Sequence, residues 1–184
     1  MLRRRAFLKS LTAGAGLVLG VTEIADAAPV PAATDAGSDP LWEIIASVQA
    51  HLLPVEAGAP GAAQINAIGY LRAALDAPDA DPQEKKFLLA GAGWLQKTWV
   101  RDHAGGSFDT LTVSGREALL RRMERGSEAG RNWLALLLYY LLEALLTDPV
   151  YGGNTREAGW KWLDYIPGFP RPPADKRYFE LLKR

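Results

Sequence analysis

The chain has 184 residues with 21 basic and 21 acidic side chains, so its formal net charge is zero. This length suits a single domain with a buried core, and the balanced charge gives no support to nucleic-acid binding. The absence of cysteine excludes a disulfide framework, a thiolate zinc site, an iron–sulfur cluster and covalent haem attachment within this chain. With only two histidines, the sequence predicts no metal site and no cofactor of its own.

The first 27 residues have the order of a signal peptide. A basic end precedes an apolar run at residues 11–21, which is too short for a bilayer core of about 30 Å. Ala25 and Ala27 provide small residues at the two positions that a signal peptidase inspects, so we expect cleavage after Ala27.

A more specific signal lies in Arg4, Arg5, Phe7, Leu8 and Lys9. This run resembles the twin-arginine signal, usually Ser/Thr-Arg-Arg-x-Phe-Leu-Lys, although an arginine stands here in the place of the Ser or Thr. The resemblance implies that the twin-arginine translocase exports the folded chain to the periplasm. Because the chain offers no cofactor and no thiols, we expect the reason for folding before export to lie in a partner.

Residues 28–38 are rich in Pro and Ala and are predicted to be a flexible linker before a helical domain at 39–184. Apolar residues then recur at three- and four-residue spacing, which predicts an all-α fold, an irregular multi-helix bundle. A first helix is expected from Pro40 to Leu53, capped by Ser38 or Asp39.

Two more helices follow. Ile65 to Leu75 marks a second helix that ends near Pro78, and Asp81-Pro82 opens a third, whose inner side is expected to include Leu88, Gly91, Trp94 and Leu95. Gly91 and Gly93 each lower helix propensity by about 1 kcal/mol relative to Ala, so we expect another backbone to cross closely there.

Ser114 and Glu117 have the spacing of a capping box and are expected to begin a fourth helix. The later segment 132–146 is apolar on nearly every side, and Glu143 is its only charge. Such a helix must be enclosed, either at the centre of its own bundle or partly against a second protein.

Candidates for catalysis are few. There is no G-x-S-x-G turn, P-loop or G-x-G-x-x-G motif, and neither His51 nor His103 lies near a nucleophile motif. Asp148, Glu157 and Asp164 are close in sequence and are the candidates for a free-standing periplasmic carboxylate-dependent enzyme.

The C-terminal third combines paired glycines with aromatic residues and prolines. Its aromatic side chains are expected either to close the bundle's own core or to form a partner interface, and the spacing does not decide between these. A sugar-binding envelope protein is a further alternative, because Trp faces suit sugar rings.

Residues 148–154 (DPVYGGN), followed by Gly159-Trp160 and Pro167-Gly168, resemble the gluconate 2-dehydrogenase subunit 3 family. The resemblance implies a non-catalytic small subunit of a membrane-associated, FAD-dependent (GMC-type) sugar or sugar-acid dehydrogenase. This subunit would assist folding, twin-arginine co-export and stability of the flavoprotein large subunit, at the periplasmic side of the inner membrane. FAD would belong to that large subunit, and haem c to a multihaem cytochrome c partner.

The predicted partner interface has two sources. The resemblance supplies family-motif positions with structural or interfacial roles, at Tyr151, Gly152, Gly153, Asn154 and Trp160. Large exposed aromatic groups dominate protein contacts, and on this ground Trp162 and Phe169 are added.

Overall fold

A computed structural model describes residues 39–103 and 108–181 of the chain. Its helices are α1 Pro40–Leu52, α2 Ala67–Leu75, α3 Pro82–His103, α4 Val113–Gly126, α5 Glu128–Leu146, α6 Ala158–Leu163 and α7 Tyr178–Leu181. Short 3-10 turns lie at Phe108–Thr110, Pro149–Tyr151, Thr155–Glu157 and Ala174–Lys176. These residues contain an isolated bridge between Glu56 and Ala59 but no β-strand, so the predicted all-α class is confirmed.

Several predictions concern residues outside the described ranges. They are the signal peptide with its arginine pair and cleavage site, and the linker at 28–38. In the part of the chain that is described, no helix has the length and apolarity needed to cross a membrane.

The start of α1 agrees with its sequence. Asp39 Oδ1 accepts a hydrogen bond from the Leu41 N–H at 3.0 Å, and Pro40 occupies the first turn, where its missing N–H leaves no helical bond unmade. The inner face buries Trp42, Ile45 and Val48, which recur at three-residue spacing.

The predicted capping box at Ser114 and Glu117 is wrong. Thr112 is the N-cap of α4, and its Oγ1 accepts a hydrogen bond from the Gly115 N–H at 3.1 Å. Glu117 instead lies 3.0 Å from His51 Nε2 and accepts a hydrogen bond from Arg121 at 2.9 Å. With the cap at Thr112, Ser114 lies inside the first turn and Gly115, not a residue with a carboxylate, is the third residue after the cap.

Gly91 of α3 lies against Trp133 of α5. A Cβ there would overlap the Trp133 indole, whose Nε1 donates to the Leu88 carbonyl at 2.8 Å. The expected backbone crossing is therefore wrong, because a flat indole occupies this space. At Gly93 the nearest atom to such a Cβ is Leu41 Cδ2 at 3.8 Å, so no other backbone lies close there either. Trp94, which was expected on the inner side of α3, is half-exposed.

Helix α5 is central and contacts α1, α2, α3, α4 and α6. Its inner face is fully packed by Trp133, Leu134, Leu137, Tyr140, Leu141, Ala144 and Leu145. Other apolar residues of the same helix stay exposed, namely Leu138, Tyr139, Leu142 and Leu146. The segment is thus a core helix on one side only.

Candidate functional site

The family-like motif, residues 148–168, closes the carboxyl end of α5. The last carbonyls of any helix have no partner within the helix. Here the Asn154 N–H donates to the Ala144 carbonyl at 2.6 Å, Asn154 Nδ2 donates to the Thr147 carbonyl at 3.0 Å, and Trp160 Nε1 donates to the Leu146 carbonyl at 2.8 Å. The motif therefore satisfies the end of the central helix from outside it.

Asn154 is the centre of this cap. Its side chain is fully buried, and its φ of 47° lies in the left-handed region, which Asn occupies more readily than most residues. Its Oδ1 accepts a hydrogen bond from the Gly159 N–H at 2.8 Å, and a Cβ on Gly159 would overlap the Leu145 carbonyl. These contacts explain why Asn and Gly are needed at these two positions.

The paired glycines of the motif make close intramolecular contacts. Gly152 has a φ of 93°, and its carbonyl accepts a hydrogen bond from Asn66 Nδ2 at 2.8 Å, which joins the motif to the start of α2. A Cβ on Gly153 would come within 2.9 Å of the Ala144 Cα. The turn thus lies directly against the end of α5.

The structure places most of the predicted interface residues inside this chain. Gly153, Asn154, Trp160 and Trp162 are buried, Tyr151 and Gly152 are half-buried, and Phe169 is 71% exposed. The buried residues serve the fold of the chain itself. Partner contact stays a prediction for the set, and Phe169 has the largest free surface in it.

The sequence analysis missed Arg171, which lies just beyond the motif. Its guanidinium donates to both oxygens of Asp148, at 2.8 and 3.1 Å, and to Glu157 at 2.7 Å. The same group lies 5.2 Å from the centroid of the Trp160 ring, in a cation–π contact. The available signal in the sequence was the position of this arginine, which stands between two prolines and follows the acidic residues Asp148 and Glu157 of the motif.

Two of the three carboxylates proposed for catalysis meet at Arg171, and Asp164 is exposed instead. Partial burial raises the pKa of the Asp148 carboxyl, but hydrogen bonds from Arg171 and from the Val150 N–H outweigh this and hold the pKa below its usual value. Because acid–base catalysis near neutral pH needs a pKa close to that pH, Asp148 suits a structural role.

The described ionisable groups at Arg171 and at His51 do not resemble a metal site. Within residues 39–103 and 108–181, no group of three or more His, Asp or Glu side chains is placed to hold a metal ion. His51 pairs with Glu117, and its hydrogen bond lowers the pKa of that carboxyl.

Beyond the cap, Tyr165, Ile166 and Phe169 form what we call the C-terminal patch. They are exposed apolar residues, and the Tyr165 ring lies 5.7 Å from the ring of Trp160. The patch therefore extends from the cap of α5 onto the protein surface.

The family model described as Gluconate 2-dehydrogenase subunit 3 matches residues 39–168. No match was found among curated proteins or among solved structures. The matched range contains α1 to α6 and the entire motif, so it covers the central helix together with its cap. The chain therefore belongs to the gluconate 2-dehydrogenase subunit 3 family.

Proposed function

We propose that the chain is a non-catalytic small subunit of an FAD-dependent, GMC-type sugar or sugar-acid dehydrogenase complex. It binds the flavoprotein large subunit, assists its folding and stability, and takes it to the periplasm by the twin-arginine route. FAD belongs to the large subunit, and haem c to a multihaem cytochrome c subunit that keeps the complex at the inner membrane.

The observation that carries this proposal is the exposed C-terminal patch. The chain belongs to a family of dehydrogenase subunits, so a surface for binding another subunit is expected. Ile166 and Phe169 are 80% and 71% exposed, and they follow two tryptophans of the motif, Trp160 and Trp162, that are buried. Adjacent large apolar groups on a surface are typical of protein–protein contact sites.

The patch is also held in place before any partner binds. The cap of α5 fixes the chain up to Trp160, and Arg171 ties the segment after the patch to Asp148. A surface that is already ordered loses less conformational entropy on association. This arrangement favours a binding role for the segment.

The signal peptide supplies the reason for joint export. A flavoprotein that binds FAD before export must cross the membrane as a folded protein, and the twin-arginine route transports folded proteins. This chain, in contrast, has no cysteine that could hold covalent haem, so it has no such cofactor of its own. The twin-arginine sequence on the small subunit would then serve both proteins.

The test is co-expression of the chain with the large subunit, followed by assay of both in the periplasmic fraction. The double variant Arg4→Lys/Arg5→Lys should retain both proteins in the cytoplasm, while the control Arg3→Lys, outside the pair, should leave export intact. Equal export of the large subunit without this chain would contradict the proposal. So would oxidation of gluconate or glucose by the purified chain alone.

A further inference from the structure

The outer face of α5 is an apolar surface that the rest of the described chain leaves uncovered. It consists of Ala135, Leu138, Tyr139, Leu142 and Leu146, which recur every three or four residues and therefore lie on one side of the helix. The leucines are 42–43% exposed and Tyr139 is 56% exposed. At 1.5 Å per residue this face is about 17 Å long.

One edge of this face is acidic. Glu143 accepts a hydrogen bond from the Tyr70 hydroxyl at 3.2 Å and also bonds Tyr139, while Glu84 accepts one from the Tyr140 hydroxyl at 2.6 Å. Both carboxylates are partly buried. Burial and the neighbouring Glu143 raise the pKa of Tyr70, as expected beside a negative charge.

These two carboxylates have no cationic partner among the described side chains. No described Lys, Arg or His lies within 4.0 Å of Glu84 or Glu143, whereas Asp148 pairs with Arg171, and Glu117 pairs with both His51 and Arg121. A partly buried carboxylate gains stability from an opposite charge placed against it. The acidic edge is therefore complementary to a basic side chain on another molecule.

The outer face ends close to Tyr165 of the C-terminal patch. The carbonyl of Leu146, at the end of the face, accepts the hydrogen bond of Trp160 Nε1, and the Trp160 ring contacts Tyr165. A partner that contacts Tyr165 would therefore lie close to the Leu146 end of the outer face. Exposed apolar area of this extent on one side of a protein is typical of an interface.

We infer that the outer face of α5 is a docking surface for the large subunit, which presents an apolar area with a Lys or Arg side chain against Glu143. This inference rests on the proposed function, since it assigns the large subunit as the occupant. A second copy of the chain fits less well in an antiparallel arrangement. A twofold antiparallel pairing of α5 would bring the Glu143 edges of both copies to the same side, where like charges repel.

The test is binding of the full chain to the purified flavoprotein large subunit, measured by titration at low and high salt. The double variant Leu138→Ser/Leu142→Ser should bind about 30-fold more weakly or worse, because it removes two apolar contacts at the centre of the face. Glu143→Gln keeps an acceptor for Tyr70, so it should bind only several-fold more weakly. Its affinity should depend less on salt than that of the wild type, because one ion pair is missing.

The matched control is Val55→Ser/Val113→Ser, which removes two exposed apolar side chains from other parts of the surface. It should bind like the wild type, and circular dichroism should show that all variants remain folded. If the wild type binds and the leucine variant binds equally well, the docking surface is wrong while the proposed function stands. If the wild type does not bind at all, the proposed function itself fails.

Self-association is the remaining outcome. Sedimentation equilibrium should show the wild type to be monomeric at the concentrations used for binding. A wild-type dimer that Leu138→Ser/Leu142→Ser dissociates, with unchanged affinity for the large subunit, would make the outer face a contact between copies and overturn the inference.

Discussion

Arg171 donates two hydrogen bonds to Asp148, from Nε at 2.8 Å and from a terminal nitrogen at 3.1 Å. The planar guanidinium matches both carboxylate oxygens at once, which a lysine could not do. The pair joins the end of α5 to a Pro-rich segment 23 residues later in the chain. It therefore fixes the path of the C-terminal patch between them.

Loss of this pair should destabilise the protein. Arg171→Gln leaves Asp148 mostly buried without its counter-charge, and we expect a loss of about 1–2 kcal/mol in the free energy of unfolding. Arg121→Gln is the control, because Arg121 also pairs with two carboxylates but does so in solvent, where the pairs contribute little. Urea unfolding measures both, and equal effects of the two substitutions would contradict the role given to Arg171.

The same pair predicts a pH dependence. The pKa of Asp148 lies below its usual value in the folded protein, so its contribution to stability is complete well above about pH 4, near the ordinary Asp pKa. That contribution decreases as the pH falls through the ordinary value and then through the lower folded value. The stability difference between wild type and Asp148→Asn should accordingly shrink between pH 6 and pH 3 in urea titrations. A constant difference would show that the carboxylate is not stabilised by its partners.

Gly91 and Gly93 should respond in opposite directions to alanine. Gly91→Ala forces a methyl group into the Trp133 indole, which is buried and hydrogen-bonded to Leu88, and should lower stability by about 1–3 kcal/mol. Gly93→Ala meets only Leu41 at 3.8 Å, so it should raise stability by about 0.5–1 kcal/mol through helix propensity. Thermal unfolding of the two variants should give midpoints on opposite sides of the wild type.

The start of α4 gives a further prediction. Thr112→Ala removes the side chain that caps the helix and should cost about 1 kcal/mol, whereas Ser114→Ala, inside the first turn, should cost clearly less. Thermal unfolding distinguishes the two. A larger effect at Ser114 would restore the capping box expected from the sequence.

Features that depend on neighbouring residues were predictable from the sequence. The cap at Asp39, the proline in the first turn of α1 and the apolar stripe of that helix are local, and all three are present. The start of α4 was misplaced because Thr112 and Ser114 are both good caps. Glu117 contacts Arg121, four residues later, and also His51, 66 residues away, and spacing along the chain carries no sign of the contact with His51.

The candidate site shows the same division. The motif indicated a tight turn, but only the fold shows that Asn154 and Trp160 bond the end of α5 and are buried, while Phe169 is exposed. When a helix is apolar on nearly every side, its sequence does not indicate which side the rest of the bundle leaves exposed to solvent. The exposure of Leu142 follows from the placement of the other helices, and these are set by long-range packing.

The family match ends at residue 168, three residues before Arg171. A shortened protein cut at that boundary would retain the whole motif and yet lose the cation that neutralises Asp148, whose side chain is only 13% exposed. Truncations made for crystallisation or for fusion to a reporter should therefore extend past the turn at Ala174–Lys176, so that the arginine and the segment holding it stay together.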